Sequence, residues 1–275
     1  MRREVFMPRW FGRGAVICAL AACAANAQSR SPVPGDPIVS DTGRIAGTML
    51  DSGIRAYLGI PFAQPPVGDL RWREPVPPQP WTGIYEATAL KPDCTQIHGG
   101  MPPGAPIDTV RYSEDCLYLY IWTPPAAKAG ARLAVVVYIH GGGFTGGAAN
   151  DIQNTGEDLA KKGVIFVDVG YRLGVFGFYA HPELSKESIH HGSGDWGNLD
   201  QVEGLRWIHR NIAAFGGDPA NVTIVGHSAG SESLYQLMAS PLAHGLFAKM
   251  SGWSGADLPP GGGLRRVSPK ARRLV

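Results

Sequence analysis

Three nearly unbroken apolar runs organise the chain: Leu133–Ile139, residues 164–169 and residues 222–225. Such runs suit strands buried on both faces. Ahead of them, Leu117, Leu119 and Ile121 alternate with Tyr118, Tyr120 and Trp122, a two-residue period that predicts another strand. Between the second and third runs, Leu199, Val202, Leu205, Ile208 and Ile212 recur at helical spacing on one face. Gly216-Gly217-Asp218-Pro219 ends that helix. Nearer the N-terminus, residues 37–62 read as short strands, with a turn at Asp41-Thr42-Gly43 and a strand over residues 54–60. Seven prolines within residues 61–82 predict an extended loop across the surface. Strand, helix, strand, sharp turn and helix in succession predict the α/β class, with a mostly parallel central sheet and helices on both faces.

Composition fits one sizeable domain. The 275 residues are 44% apolar and 17% charged, enough for a buried core. The 37 glycines and 23 prolines follow no period, so they mark turns and loops in a folded chain.

Residues 1–27 have the layout of an export signal. Arg2, Arg3, Arg9 and Arg13 flank a short apolar run at residues 14–24, well under the roughly 20 residues a membrane span needs. No transmembrane span is expected. Ala25-Asn26-Ala27 fits a small-x-small cleavage site. Leu20-Ala21-Ala22-Cys23 offers an alternative, a lipoprotein box in which Cys23 becomes a lipidated N-terminus. The expected location is periplasmic or secreted, or anchored through Cys23. The domain is expected over residues 28–258, opening with a polar, Pro-rich leader at residues 28–36, and residues 259–275 are expected to form a basic tail.

Removing residues 1–27 takes away four arginines and one glutamate, so the formal net charge falls from +2 to −1. No basic stripe remains to bind nucleic acid. Two of the four cysteines leave with the signal, and Cys94 and Cys116 remain, as one disulfide or as two buried thiols.

The candidate chemistry centres on Gly226-His227-Ser228-Ala229-Gly230. A buried strand precedes it and a helical segment follows. A glycine at each end permits a turn too tight for side chains there. That turn lifts the Ser228 hydroxyl clear of the sheet at a helix N-terminus, with the Ala229 amide facing any developing oxyanion. A purely structural turn serine is the plain alternative, and the strand-to-helix setting argues against it. His140-Gly141-Gly142-Gly143-Phe144 follows the central strand, where glycines let successive amides approach a substrate. Gly142 and Gly143 are the candidate donors, with Ala229 as the third. His227 is a poor base for Ser228, because neighbours on a sharp turn point apart. His140 borders the oxyanion loop and is better suited to ordering it.

From these residues outward, the sequence resembles the type-B carboxylesterase family, which includes bacterial esterases, mammalian carboxylesterases and cholinesterases. The resemblance rests on Tyr57-Leu58-Gly59-Ile60-Pro61-Phe62-Ala63, Pro65-Pro66-Val67-Gly68-Asp69-Leu70-Arg71-Trp72 and Ser113-Glu114-Asp115-Cys116-Leu117-Tyr118-Leu119. It continues through the His140 loop, Tyr171-Arg172-Leu173-Gly174, Gly197-Asn198-Leu199-Asp200-Gln201 and the Ser228 elbow. It covers about residues 37–256. It implies an α/β-hydrolase fold, a Ser228 nucleophile acting on small carboxylic esters, and no metal or organic cofactor. It also implies a Cys94–Cys116 disulfide and two buried ion pairs, Arg71 with Glu114 and Arg172 with Asp200. The family often has Glu at the position of His227, and usually Asn at those of Tyr120 and Gly170.

The family places its triad acid and histidine well downstream of the serine, whereas this chain runs 47 residues past Ser228. His244, Glu232 and Asp257 are the candidates there, and none sits in a matching motif. No triad acid or histidine is assigned in this chain. From Pro259 the text turns Pro-, Gly- and Arg-rich, with Arg265, Arg266, Lys270, Arg272 and Arg273. The expectation is a hydrolase fold truncated after the elbow by a frameshift or early stop, and catalytically incomplete. The rival from another class is a non-catalytic binding or adhesion module on the same fold.

Overall fold

The computed structural model describes residues 33–96, 111–149 and 153–255, with only the backbone of 153–155. The export segment with Cys23, Asp257 and the tail at 259–275 lie outside these residues. Chain order begins with β1 (Ile38–Val39), β2 (Arg44–Ala46), β3 (Thr48–Met49) and β4 (Arg55–Pro61). The Pro-rich stretch after β4 contains no strand and one turn of 3₁₀ helix at Gly68–Leu70. It leads to β5 (Ile84–Glu86), β6 (Asp93–Cys94), β7 (Tyr112–Ser113) and β8 (Tyr118–Thr123).

The three apolar runs become β9 (Leu133–Ile139), β10 (Ile165–Val169) and the core of β11 (Gly217–His227). α1 (Gln153–Ala160) joins the first two. After β10 come two short helices, α2 (Gly174–Phe178) and α3 (Pro182–Glu187), then the long α4 (Trp196–Asn211). β11 begins five residues before the apolar run, at Gly217, which pairs with Leu133, and the register then shifts before Val222. The shift spans Pro219, whose nitrogen has no hydrogen for the ladder. α5 (Ala229–Ala239) and β12 (Lys249–Trp253) complete the described chain.

Seven strands form one sheet in the order β12-β11-β9-β10-β8-β4-β3. β12, β11, β9 and β10 run parallel to their neighbours, while the β10–β8, β8–β4 and β4–β3 pairings are antiparallel. The sheet is therefore mixed, which corrects the expected mostly parallel arrangement. The difference comes from connectivity: among the described residues no crossover helix joins β3, β4 and β8, and the strands linked by helices run parallel.

Helices cover both faces. Val135, Val137 and Ile139 of β9 share one core with Val202, Leu205 and Ile208 of α4 and Leu234 and Leu237 of α5. Trp122 and Phe166 on the opposite face share a second core with Ala160 of α1. Burial on both faces explains why β9 and β10 read as unbroken apolar runs. After β10, the chain returns across β9 to lay β11 on its far side. The carboxyl ends of β9 and β11 thus lie side by side, where open α/β sheets form their crevices.

Candidate active site

Ser228 stands between the end of β11 and the start of α5, with φ +53° and ψ −124°. Few side-chain-bearing residues adopt a positive φ, and the cost is of order 1–3 kcal/mol. Packing enforces it. The Ser228 amide donates to the Trp253 carbonyl at 3.0 Å, and its carbonyl accepts from the Glu232 amide at 3.1 Å. A Cβ on Gly226 would lie 2.6 Å from the Gly230 carbonyl group, and one on Gly230 would lie 2.0 Å from the Ile139 oxygen. The two glycines of the pentapeptide are thus steric requirements of the helix crossing close over β9.

The loop after β9 runs beside this elbow. A Cβ on Gly141 would lie 2.6 Å from the His227 oxygen and 3.2 Å from Ser228 Cβ. Gly142, Gly143 and Phe144 all have positive φ, at +115°, +63° and +61°. The Gly142 carbonyl accepts from the amides of Thr145 and Gly146, both at 3.1 Å, which curls the loop into a tight turn. Among the described residues, the amides of Gly142, Gly143 and Ala229 donate no hydrogen bond. Amides left unused in this way are free to receive an external acceptor.

His140 is buried and orders the loop from beneath. Its ring stacks on Tyr171 at 4.2 Å, its Nδ1 lies 2.9 Å from the Gly141 carbonyl, and the Tyr171 hydroxyl donates to its carbonyl at 2.7 Å. His227 is exposed and leans on Trp253, 5.7 Å between ring centres. Glu232 and His244 are exposed on the surface. Among the described residues, none hydrogen-bonds the Ser228 hydroxyl.

The supporting residues divide. Cys94 and Cys116 form a disulfide. Arg172 and Asp200 form a fully buried, two-pronged pair, with Nε to Oδ2 at 2.8 Å and Nη2 to Oδ1 at 2.6 Å. The Arg172 amide also donates to Asp200 at 3.0 Å, so the carboxylate fixes the turn that follows β10. Arg71 and Glu114 are joined at 2.5 and 2.6 Å, but their side chains are 38% and 22% exposed. This pair is only partly buried, which corrects the expectation of full burial. Arg71 follows a 3₁₀ turn in which no residue is buried.

Two features escaped the sequence. Gln96 grips the glycine-rich loop after β9 at Gly147. Asp195, just before α4, lines a cavity of about 360 Å³ with Trp196, Leu199 and Gln236, apart from Ser228. Burial pushes its carboxyl up to about 6, against an opposing hydrogen bond from Asn198 at 2.7 Å. Among the described residues, no group of three His, Cys, Asp or Glu is placed to hold a metal ion, and no helix is long and apolar enough to cross a membrane.

Comparison with known proteins agrees with this geometry. The chain is 43% identical over 208 residues to a fumonisin B1 esterase of Sphingopyxis macrogoltabida, covering 76% of this chain and 37% of that one. It is 38% identical over 273 residues to liver carboxylesterase 1F of Rattus norvegicus, covering 94% and 46%. Among solved structures, a PNB esterase superposes with a TM-score of 0.68 at 41% identity, covering 78% of this chain and 43% of that chain. A carboxylesterase of Geobacillus stearothermophilus gives the same TM-score and identity. The fold is the α/β-hydrolase fold, and the chain spans under half the length of the curated relatives it matches. The model of the carboxylesterase family matches residues 36–261, and with the elbow and the glycine loop in place the chain belongs to that family.

Proposed function

We propose that this chain carries the nucleophile and oxyanion hole of a serine hydrolase acting on small carboxylic esters. The observation that carries the reading is Ser228, held at positive φ against Gly141, with the amides of Gly142, Gly143 and Ala229 donating no hydrogen bond among the described residues. Ser228 Oγ attacks the ester carbonyl carbon and forms a C–O bond. The carbonyl electron pair moves onto oxygen, where the amides of Gly142, Gly143 and Ala229 receive it. Collapse of this intermediate expels the alcohol and leaves an acyl-serine, which water then cleaves to the acid and free Ser228.

The serine proton must pass to a base during the attack. Among the described residues no base is hydrogen-bonded to Ser228, and this reading assigns none of them to that role. With donors and nucleophile alone, about a thousandfold to ten-thousandfold over water remains. Residues 1–27 belong to the same reading as an export signal cleaved after Ala27, with no lipid at Cys23, on the strength of their charge and apolar layout.

A fluorophosphonate probe tests the site. The folded chain is expected to label slowly at Ser228, Ser228→Ala is expected not to label, and turnover of p-nitrophenyl acetate is expected far below ordinary esterase rates. A folded chain that takes no label overturns the assignment. Fast turnover abolished by Ser228→Ala shows instead that this chain supplies a base to Ser228. N-terminal sequencing of exported protein reads the cleavage point.

A further inference from the structure

We propose that Gln96 is a positioning residue for the oxyanion loop, an inference that rests on the hydrolase reading of Ser228. Its side-chain amide behaves as a detached peptide group. Nε2 donates to the Gly147 carbonyl at 2.8 Å, and Oε1 accepts from the Gly147 amide at 2.8 Å. Both main-chain groups of one residue are thus gripped by one side chain from 51 residues away. Only an amide side chain offers a donor and an acceptor at that spacing.

Gln96 is itself anchored. Its Nε2 also donates to the Cys94 carbonyl at 3.1 Å. Cys94 is tied by its disulfide to Cys116, and the next residue, Thr95, donates its amide to the Ser113 carbonyl at 3.0 Å. The grip therefore refers the loop to a cross-linked segment.

The loop passes that reference on to the nucleophile. Gly147 closes the base of the loop: a Cβ there would lie 2.4 Å from the Gly141 oxygen and 2.5 Å from His140 Nδ1. Gly141 in turn packs against the His227 carbonyl and Ser228 Cβ. The contacts run from Gln96 through Gly147 and Gly141 to Ser228, and the candidate donors Gly142 and Gly143 lie between the two gripped ends. Oxyanion donors act only when aimed within a fraction of an ångström, and a displacement of about 1 Å costs on the order of a hundredfold in rate. Gln96 touches the loop and not the reacting atoms, so its effect is on aim.

The test uses the full chain with Gln96→Ala and Gln96→Glu. Amide hydrogen exchange is followed at Thr145, Gly146 and Gly147, and the rate of fluorophosphonate labelling at Ser228 is measured beside it. Gln96→Ala is expected to speed exchange at these amides about tenfold or more and to slow labelling about tenfold to a hundredfold, with exchange in β9 and β10 unchanged. Gln96→Glu keeps the acceptor for the Gly147 amide and is expected to restore part of both. Unchanged exchange in the loop, or a uniform rise across the sheet, overturns the proposal. Wild-type labelling by Gln96→Ala also overturns it. If the wild-type chain takes no label, the hydrolase reading fails, and the exchange pattern still decides whether Gln96 positions the loop.

Discussion

Gly230 turns its Cα toward the main-chain carbonyl of Ile139 so closely that a Cβ would fall 2.0 Å from that oxygen. Both partners are backbone on well-packed elements, so neither has room to give. Gly230→Ala is expected to destabilise the chain by about 3 kcal/mol or more, or to prevent soluble folding. Gly130 supplies the control. It has positive φ, at +82°, which Gly230 does not, and a Cβ there meets nothing within 4 Å. Gly130→Ala is expected to cost only about 1 kcal/mol. Guanidinium denaturation of the two variants distinguishes steric exclusion from backbone preference.

Asp200 and Arg172 make a different kind of dependence. Asp200→Asn keeps the shape but leaves a buried guanidinium without its counter-charge, a loss of about 3–5 kcal/mol. Arg71→Ala removes a pair that is already partly solvated, and its loss is expected to be much smaller. Urea midpoints for the two variants check the ranking. Equal losses would contradict the partly exposed placement of Arg71 and Glu114.

How far the sequence foretold these features depends on where each residue's partners lie. β9 was legible because both of its faces are buried and both therefore select apolar residues. β12 was not, since Lys249, Ser251, Gly252 and Trp253 are all exposed and, among the described residues, the strand pairs with β11 alone. The direction of β4 and β8 was also hidden, because an apolar strand reads alike whichever way its neighbours run. The elbow was legible because the strand, both glycines and the helix start fall within a few residues. Gln96 was not, because its partner is distant in sequence and no periodicity links them. Arg71 and Glu114 could be paired by resemblance, but their exposure depends on what packs above them.

Asp195 gives the fold a pH dependence of unusual sign for a carboxylate. Its folded value of about 6 lies above the roughly 3.9 of an unfolded Asp, so the folded state holds the proton more tightly. The stability this confers is complete below about pH 4 and is lost as pH rises through about 6. Glu74 and His190 also line the cavity and are common to both chains, so the comparison is between Asp195→Asn and wild type. Asn keeps the Oδ1 acceptor for Asn198 and removes the charge. Asp195→Asn is expected to be more stable than wild type at about pH 8, by up to 2–3 kcal/mol, and equal to it at about pH 4. Thermal melts across that range read the difference. A constant offset would show that the carboxyl titrates alike in both states.

Ser228 carries strain that its proposed role requires and its fold does not. The positive φ places Cβ in a conformation that glycine alone adopts freely, and the hydrogen bond from the Ser228 amide to the Trp253 carbonyl and the close approach of Gly255 hold it there. Ser228→Gly removes the Cβ and with it a cost of order 1–3 kcal/mol, against about 0.5–1 kcal/mol of added freedom in the unfolded chain. Ser228→Ala removes the hydroxyl but keeps the Cβ, so the strain stays. Both variants are expected to lose probe labelling, and Ser228→Gly is expected to be about 1 kcal/mol more stable than Ser228→Ala in denaturant. Equal stability of the two would mean that the turn is relaxed around its side chain. The expected order would instead show packing energy from the sheet and α5 being held in the backbone beneath the nucleophile.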